Sequence, residues 1–261
     1  MKLSIVTICL NDLKGLKRTL GSLEEQTRSD FEQWVIDGGS TDGTPELLAG
    51  YRPAWALGWI SERDGGLYDA MNKGLARATG EYVWFLNSGD YCVDGTSVEK
   101  ILAALEANPG IDILYGRVWY ESEFGRRPVG GPVSARDFDA GMPVCHQGVI
   151  YRTDLLRRRP YPTDWRLISD WIVTRDLFRE GARAQFLDTF LAVYDLGGAS
   201  ADHWSYLREQ LRYEKRLPVR LKLLCLSGGR YSLIWLSKKL AFYRLVKTWQ
   251  HRRIARNSTL A

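Results

Sequence analysis

What this sequence has little of narrows it first. Its 261 residues hold four cysteines (Cys9, Cys92, Cys145, Cys225) with no CxxC pair, and three histidines (His146, His203, His251) with no HExxH. Zinc sites draw on clustered Cys and His, so zinc is disfavoured, and scattered thiols suit a reducing compartment. No stretch reaches the roughly 18 apolar residues of a membrane-spanning helix. The opening MKLSIVTICL runs straight into a strand pattern, and its apolar part is too short for a secretory leader. A GxGxxG turn is missing after the first strand, where the chain reads TICLND, and there is neither a GxxxxGKS/T loop nor a GxSxG elbow. The segment GGSTDG has glycines, but at the wrong spacing and after the second strand. These absences count against a dinucleotide-dependent dehydrogenase, a P-loop ATPase and a serine hydrolase. There is no internal repeat and no low-complexity linker.

Acidic side chains are missing from one end. From Lys215 onward there are twelve Lys/Arg and no Asp or Glu, while the first 214 residues carry 24 basic against 31 acidic side chains. An acidic body (net −7) is thus followed by a basic tail within a chain of net charge +5. In Leu217–Ala261, Trp235, Phe242, Tyr243 and Trp249 interleave with Lys238, Lys239, Arg244, Lys247, Arg252 and Arg253. A basic amphipathic helix with aromatics reads as membrane-surface binding, each cation being worth about 1 kcal/mol near an anionic leaflet. A helix packed on the body with solvated charges is the plainer alternative. Nucleic-acid binding would need strongly salt-dependent affinity in residues 215–261 alone. The reading taken is a partner at the inner membrane surface and no nucleic acid.

What is present, at 45% hydrophobic and 26% charged, is an ordinary globular composition. Strand patterns at Leu3–Cys9, Phe31–Ile36, Ala56–Ser61 and Tyr82–Leu86 alternate with helical spacing at Leu13–Leu23, after Pro45, and over residues 67–79. That alternation predicts an α/β fold, a mostly parallel sheet with helices on both faces. Beyond it, the pattern predicts a helix near Thr96–Ala107, a strand at Ile111–Gly116, hairpins or loops covering a cleft over Val118–Pro143, and a strand at Val144–Tyr151. A helix starting near Ser169, capped by that hydroxyl, precedes further strand over Ala184–Tyr194. The organising stretch is Ser61–Asp90, in which a loop with two carboxylates, a helix and a buried strand deliver Asn87-Ser88-Gly89-Asp90 to the strand's carboxyl end. Ligands of open α/β sheets bind there.

DGGSTDGT, DGGLYDAMNKG, FLNSGD, HQ and SDW follow one another in this order. The set resembles the family 2 glycosyltransferases of the GT-A fold, and is similar to the branch that builds bacterial exopolysaccharides of the colanic-acid type. The resemblance covers roughly residues 3–200. It implies a GT-A domain over 1–200; the basic amphipathic helical tail over 201–261 is only loosely covered, and its charge and aromatics are what read as membrane-surface binding.

The resemblance also implies roles. A nucleotide diphosphate sugar donor leaves as an anionic nucleoside diphosphate, which a divalent metal, Mn or Mg, neutralises. Asp90 is then the metal carboxylate. The family's acidic motif has more carboxylates, whereas Asn87 and Gly89 stand in the neighbouring places here. Thr7, Asn11, Asp37, Asp64, Asn72, Lys73, Asn87 and Ser88 are assigned to the nucleotide-sugar pocket. Asp37 and Asp42 could equally serve the turns they sit in, and Asp69 and Lys73, four apart on a helix, could form an ion pair. Asp170 matches the general base that takes the acceptor's proton, although an Asp at a helix start is also favoured by the helix dipole. Asp176 is expected to pair with Arg175 or Arg179. His146 and Gln147, on a strand, are expected to touch acceptor or diphosphate, and His203 could be a late metal or phosphate ligand. The implied function is an inverting hexosyltransferase acting on a glycan or polyprenyl-linked glycan acceptor. It would be cytoplasmic and peripherally attached to the cytoplasmic membrane face. A non-catalytic nucleotide-sugar or glycan-binding protein on the same fold is the alternative.

Overall fold

The computed structural model describes residues 1–123, 125–196 and 203–223. The alternation expected over the first ninety residues is present: β1 (Leu3–Cys9), α1 (Leu13–Glu24), β2 (Glu32–Asp37), α2 (Thr44–Gly50), β3 (Ala56–Ser61), α3 (Leu67–Arg77) and β4 (Tyr82–Phe85). The strands lie in the order β3-β2-β1-β4, all parallel. Helices cover both faces. On one, Leu16 and Leu20 of α1 and Leu48 of α2 pack with Cys9 and Val35. On the other, α3 lies so close that a Cβ on its Gly74 would come within 2.3 Å of Val6 Cγ1. That contact explains a helix-weakening glycine in mid-helix. The apolar stripe of α3 starts one residue later than its spacing suggests: Tyr68, Ala70, Met71 and Leu75 are buried, while Leu67 is half-buried.

After β5 (Tyr91–Cys92) and α4 (Ser97–Ala107), the sheet continues with β6 (Ile113–Ser122), β7 (Gly125–Val129), β8 (Val149–Arg152) and β9 (Ala184–Asp195), with α5 (Thr153–Arg158) and α6 (Ser169–Arg179) between the last two strands. β8 joins β4 antiparallel, β6 follows it, and β9 runs parallel to β6 with register shifts around Arg117. Such irregularities bend and twist a strand. Side chains from both halves, among them Ile5, Trp84, Ile101, Leu114, Ile150 and Leu191, form one core.

Three local expectations are corrected. The strand predicted to end at Gly116 runs on to Ser122, because β7 pairs with it as a hairpin. His146–Gly148 is a 3-10 turn rather than strand, and only Val149–Arg152 pairs. The Gln147 carbonyl accepts from Trp84 Nε1 at 2.8 Å instead of joining a ladder. Ser169 does not cap α6; it is the first helical residue and donates its hydroxyl to the Pro162 carbonyl at 2.5 Å.

Cys9, Cys92 and Cys145 are free and buried. A second unit, from His203, holds α7 (His203–Tyr213) and α8 (Leu217–Leu223), with Leu207, Val219 and Leu223 packed together. Among the described residues no helix is long and apolar enough to cross a membrane. The aromatic and basic positions expected to face a membrane, Trp235 to Arg253, lie outside the described residues, as does the side chain of His203.

Candidate active site

The parallel strands end together, with Cys9 beside Asp37 and Asp37 beside Ser61. Asp37 is fully enclosed; its carboxylate accepts the Ser40 N–H at 3.0 Å, the Ser40 hydroxyl, and the Ser61 hydroxyl at 2.5 Å. Ser40 in turn accepts the Asn11 N–H at 2.7 Å, and Asn11 Oδ1 accepts the Thr41 N–H at 2.9 Å. Asn11 has φ +49°, a left-handed conformation that Asn tolerates. Asp42 does turn chemistry: Oδ2 accepts the Leu13 N–H at 2.8 Å, and Oδ1 binds Thr44. Thr7, expected in the pocket, is wholly buried in the sheet, where Gln33 Nε2 donates to its hydroxyl at 3.1 Å.

The loop after β3 closes over this turn. Asp64 Oδ1 accepts the Gly66 N–H at 2.9 Å, and its Oδ2 lies where a Cβ on Gly38 would be, 2.6 Å away. A side chain at 38 would push that carboxylate out. Asp69 Oδ2 accepts the Gly65 N–H at 2.8 Å and sits 3.5 Å from Lys73 Nζ. Lys73 also reaches Glu62 at 2.9 Å and the Arg63 carbonyl at 3.1 Å, so its charge braces the loop. The Asn72 amide clamps the backbone of Tyr161, Nδ2 to O at 2.8 Å and N to Oδ1 at 3.0 Å, which occupies a side chain expected at the nucleotide.

The turn after β4 is held by α1. Ser88 Oγ donates to Asp12 Oδ2 at 2.8 Å, and the Thr19 hydroxyl donates to the Asp90 carbonyl at 2.7 Å. The Asp90 side chain is 3% exposed. Its Oδ2 accepts Gln147 Nε2 at 2.9 Å and its Oδ1 the Asp195 N–H at 3.1 Å. Burial pushes its carboxyl well above the usual range, more strongly than these bonds pull it down. Asn87 Oδ1 is buried and has no hydrogen-bond partner among the described residues. Among the described residues no three His, Cys, Asp or Glu side chains gather as metal ligands.

His146 and Gln147 do not sit as expected. Gln147 is the partner of Asp90, and its Oε1 accepts the Cys145 thiol at 3.0 Å. His146 is 5% exposed, its Nε2 is 2.8 Å from the Tyr161 hydroxyl, and its ring packs against Phe85. Burial lowers its pKa, so the neutral imidazole is favoured, and its Nδ1 has no partner among the described residues. An apolar shell of Phe85, Tyr151 and Tyr161 surrounds this ring.

Asp170 stands in the first turn of α6, half-buried. Its Oδ1 accepts the Tyr68 hydroxyl at 2.8 Å and the Trp171 N–H at 2.8 Å. Asp176 pairs with Arg175 at 3.0 Å. Four of the sequence motifs therefore meet through side chains: Asp90 with Gln147, neighbouring His146 with Tyr161, Tyr161 with Asn72, and Tyr68 with Asp170. Tyr68, Tyr161 and Asp12 were not singled out from the sequence. Only for Tyr68 was there a signal, a hydroxyl-bearing aromatic inside DGGLYDAMNKG.

The profile of the family described as "Glycosyl transferase family 2" matches residues 4–180. An uncharacterized glycosyltransferase of Mycobacterium tuberculosis is 38% identical over 172 residues, 64% of this chain and 65% of that protein, so the match spans under two thirds of that relative. A "PGL/p-HBAD biosynthesis glycosyltransferase" of Mycobacterium bovis is 30% identical over 96% of this chain and 98% of its own. Among solved structures, S. aureus TarS 1-349 in complex with UDP-GlcNAc superposes with a TM-score of 0.64 at 21% identity, covering 86% of this chain and 72% of that one. The mannosyltransferase PcManGT from Pyrobaculum calidifontis, in complex with GDP-Man and Mn2+, gives 0.61 at 20% identity, covering 95% and 82%.

Proposed function

The chain belongs to glycosyl transferase family 2 and has the GT-A fold, and from that premise we propose that it is an inverting glycosyltransferase. It moves a sugar from a nucleotide diphosphate sugar to a glycan acceptor, polyprenyl-linked, in bacterial polysaccharide or glycolipid biosynthesis. One observation carries the proposal: among the described residues Asp90 is a carboxyl buried without a bonded cation, and it follows Asn87, whose Oδ1 is buried and unpartnered. Buried charge without a counter-charge is costly, and a lone buried oxygen asks for a ligand.

Asp90 and Asn87 offer the kind of oxygen that a hard divalent cation, Mn or Mg, takes; such an ion needs few ligands from the protein and, when bound, would neutralise a departing diphosphate. Asp90 would hold it. Gln147 and the Asp195 N–H fix the direction of that carboxylate. Asn11, Asp64 and Ser88 edge the nucleotide pocket, and Asp37 shapes it by holding Ser40 and Ser61. Asp170 takes the proton of the acceptor hydroxyl as that oxygen bonds to the anomeric carbon. The bond from that carbon to the diphosphate oxygen breaks, and its electron pair leaves with the nucleoside diphosphate. A nucleotide-sugar donor is supported by the ligands of the two structural neighbours, UDP-GlcNAc and GDP-Man with Mn2+.

Residues 201–261 place the enzyme on the cytoplasmic face of the membrane. Supporting this, α7 and α8 form a groove of about 470 Å³ lined by Trp204, Leu207, Leu211 and the arginines 208, 212 and 220, with Trp204 49% exposed. Apolar surface ringed by cations suits an anionic lipid surface.

The test is donor hydrolysis by the purified protein against UDP- and GDP-sugars with Mn2+ or Mg2+, for wild type, Asp90→Ala and Asp170→Asn. Metal-dependent release of UDP or GDP that disappears in Asp90→Ala is the expected result. Binding without turnover would favour a nucleotide-sugar-binding protein, and no binding across a panel widened to other nucleotide sugars would sink the reading.

A further inference from the structure

We propose that Tyr68 is a positioning residue for Asp170, an inference that rests on reading Asp170 as the general base. The two lie 102 residues apart in the chain and meet through one hydrogen bond, Tyr68 hydroxyl to Asp170 Oδ1, at 2.8 Å. The phenol is held from behind. Tyr68 is 4% exposed and its ring lies 5.6 Å from that of Tyr161. Tyr161 is itself fixed by the Asn72 clamp on its backbone and by His146 on its hydroxyl. A donor locked by packing aims its partner, and a loosely held one does not.

The bond has consequences for both oxygens of Asp170. Oδ1 takes two donors, the phenol and the Trp171 N–H, which leaves Oδ2 to receive the acceptor's proton. Both donors hold Oδ1 in place, and with it the direction in which the carboxylate faces. A tyrosine that only filled space here would do so as phenylalanine, because a buried hydroxyl requires a partner.

Tyr68 also ties the base to the donor side. It stands in the first turn of α3, beside Asp69, whose Oδ2 receives the Gly65 N–H, and just after Gly66, whose N–H goes to Asp64. The loop that closes over the β2 turn and the base on α6 therefore share one helical turn as their reference point.

The experiment compares wild type, Tyr68→Phe and Asp170→Asn. UDP-GlcNAc and GDP-mannose are the probes, with kcat and KM from nucleoside diphosphate release, donor Kd by calorimetry, and folding by thermal melting. In Tyr68→Phe the melt and the donor Kd stay near wild type. Its kcat falls on the order of tenfold, as expected for one lost hydrogen bond to a carboxylate, while KM for the donor is unchanged. A wild-type kcat in Tyr68→Phe, or a loss confined to donor binding, overturns the proposal even when Asp170→Asn is inactive. Full turnover by Asp170→Asn overturns the reading of Asp170 as base, and the role of Tyr68 with it.

Discussion

The end of β2 and the turn after β4 each bury one carboxylate, and they treat it differently. Asp37 is surrounded by donors of its own loop and the next strand, including two hydroxyls. Asp90 has one amide and one backbone N–H, and burial dominates, so its ionised form is disfavoured. A carboxylate whose lone pairs are met by neighbours acts as a structural joint. One left short of partners is held ready for something that arrives from outside.

Exchanging each for a neutral residue should separate the two most widely. Asp90→Asn is expected to lose at least about 100-fold in donor turnover, the scale on which a single charge-stabilising group counts in catalysis. Its apo form should hold stability or gain it at neutral pH. The sign follows from linkage: a carboxyl raised in the folded state above 3.8 favours folding below that value, and this contribution is lost as pH rises through the folded-state value. Melting temperature measured from pH 4 to 8 should therefore decline more steeply in wild type than in Asp90→Asn, and added Mn2+ should raise it only in wild type. A steeper decline in the variant would break the comparison.

Asp37→Ala should do the reverse. It strands the Ser40 N–H and two hydroxyls in a closed space, and a loss of about 2–4 kcal/mol in urea unfolding is expected. Gln147→Leu comes next, because it removes one of the two donors on Asp90 and leaves the turn in place. Turnover should drop about tenfold, with a weaker dependence on metal concentration as the direct sign that Asp90 has lost its aim. Smallest of all is Lys73→Ala. Its ammonium is shared among Glu62, Asp69 and a carbonyl at the surface, so Tm should shift by no more than about 2 °C and donor Kd by less than about threefold. A tenfold weaker donor Kd would instead place Lys73 on the diphosphate.

The parallel half was legible because its strands are short apolar runs closed by turn formers, and each helix announces itself by spacing. TICLND, DGGSTDG and NSGD sit at strand ends, as written. The other half was harder to read. β6 continues past Gly116 because β7 folds back on it, and residues 146–148 turn because Trp84 claims a carbonyl. Neither cause is local. The same holds for the site: Asp90 and Asp170 were visible as acids at promising places, but their partners were chosen in space. Gln147 reached Asp90 across 57 residues and Tyr68 reached Asp170 across 102. The partners of Thr7, Asn72 and His146 were hidden for the same reason, since each bonds to a residue distant in the chain.

The three enclosed thiols amount to a set of clocks. Burial pushes Cys92 up to about 12 and raises Cys9 and Cys145 as well, so almost none is thiolate at neutral pH. An alkylating reagent meets each one only when the chain around it opens. Cys9 marks the edge of the nucleotide half, Cys92 the short strand after the acidic turn, and Cys145 the turn that carries Gln147. The order in which they react is the order in which those parts of the molecule come undone.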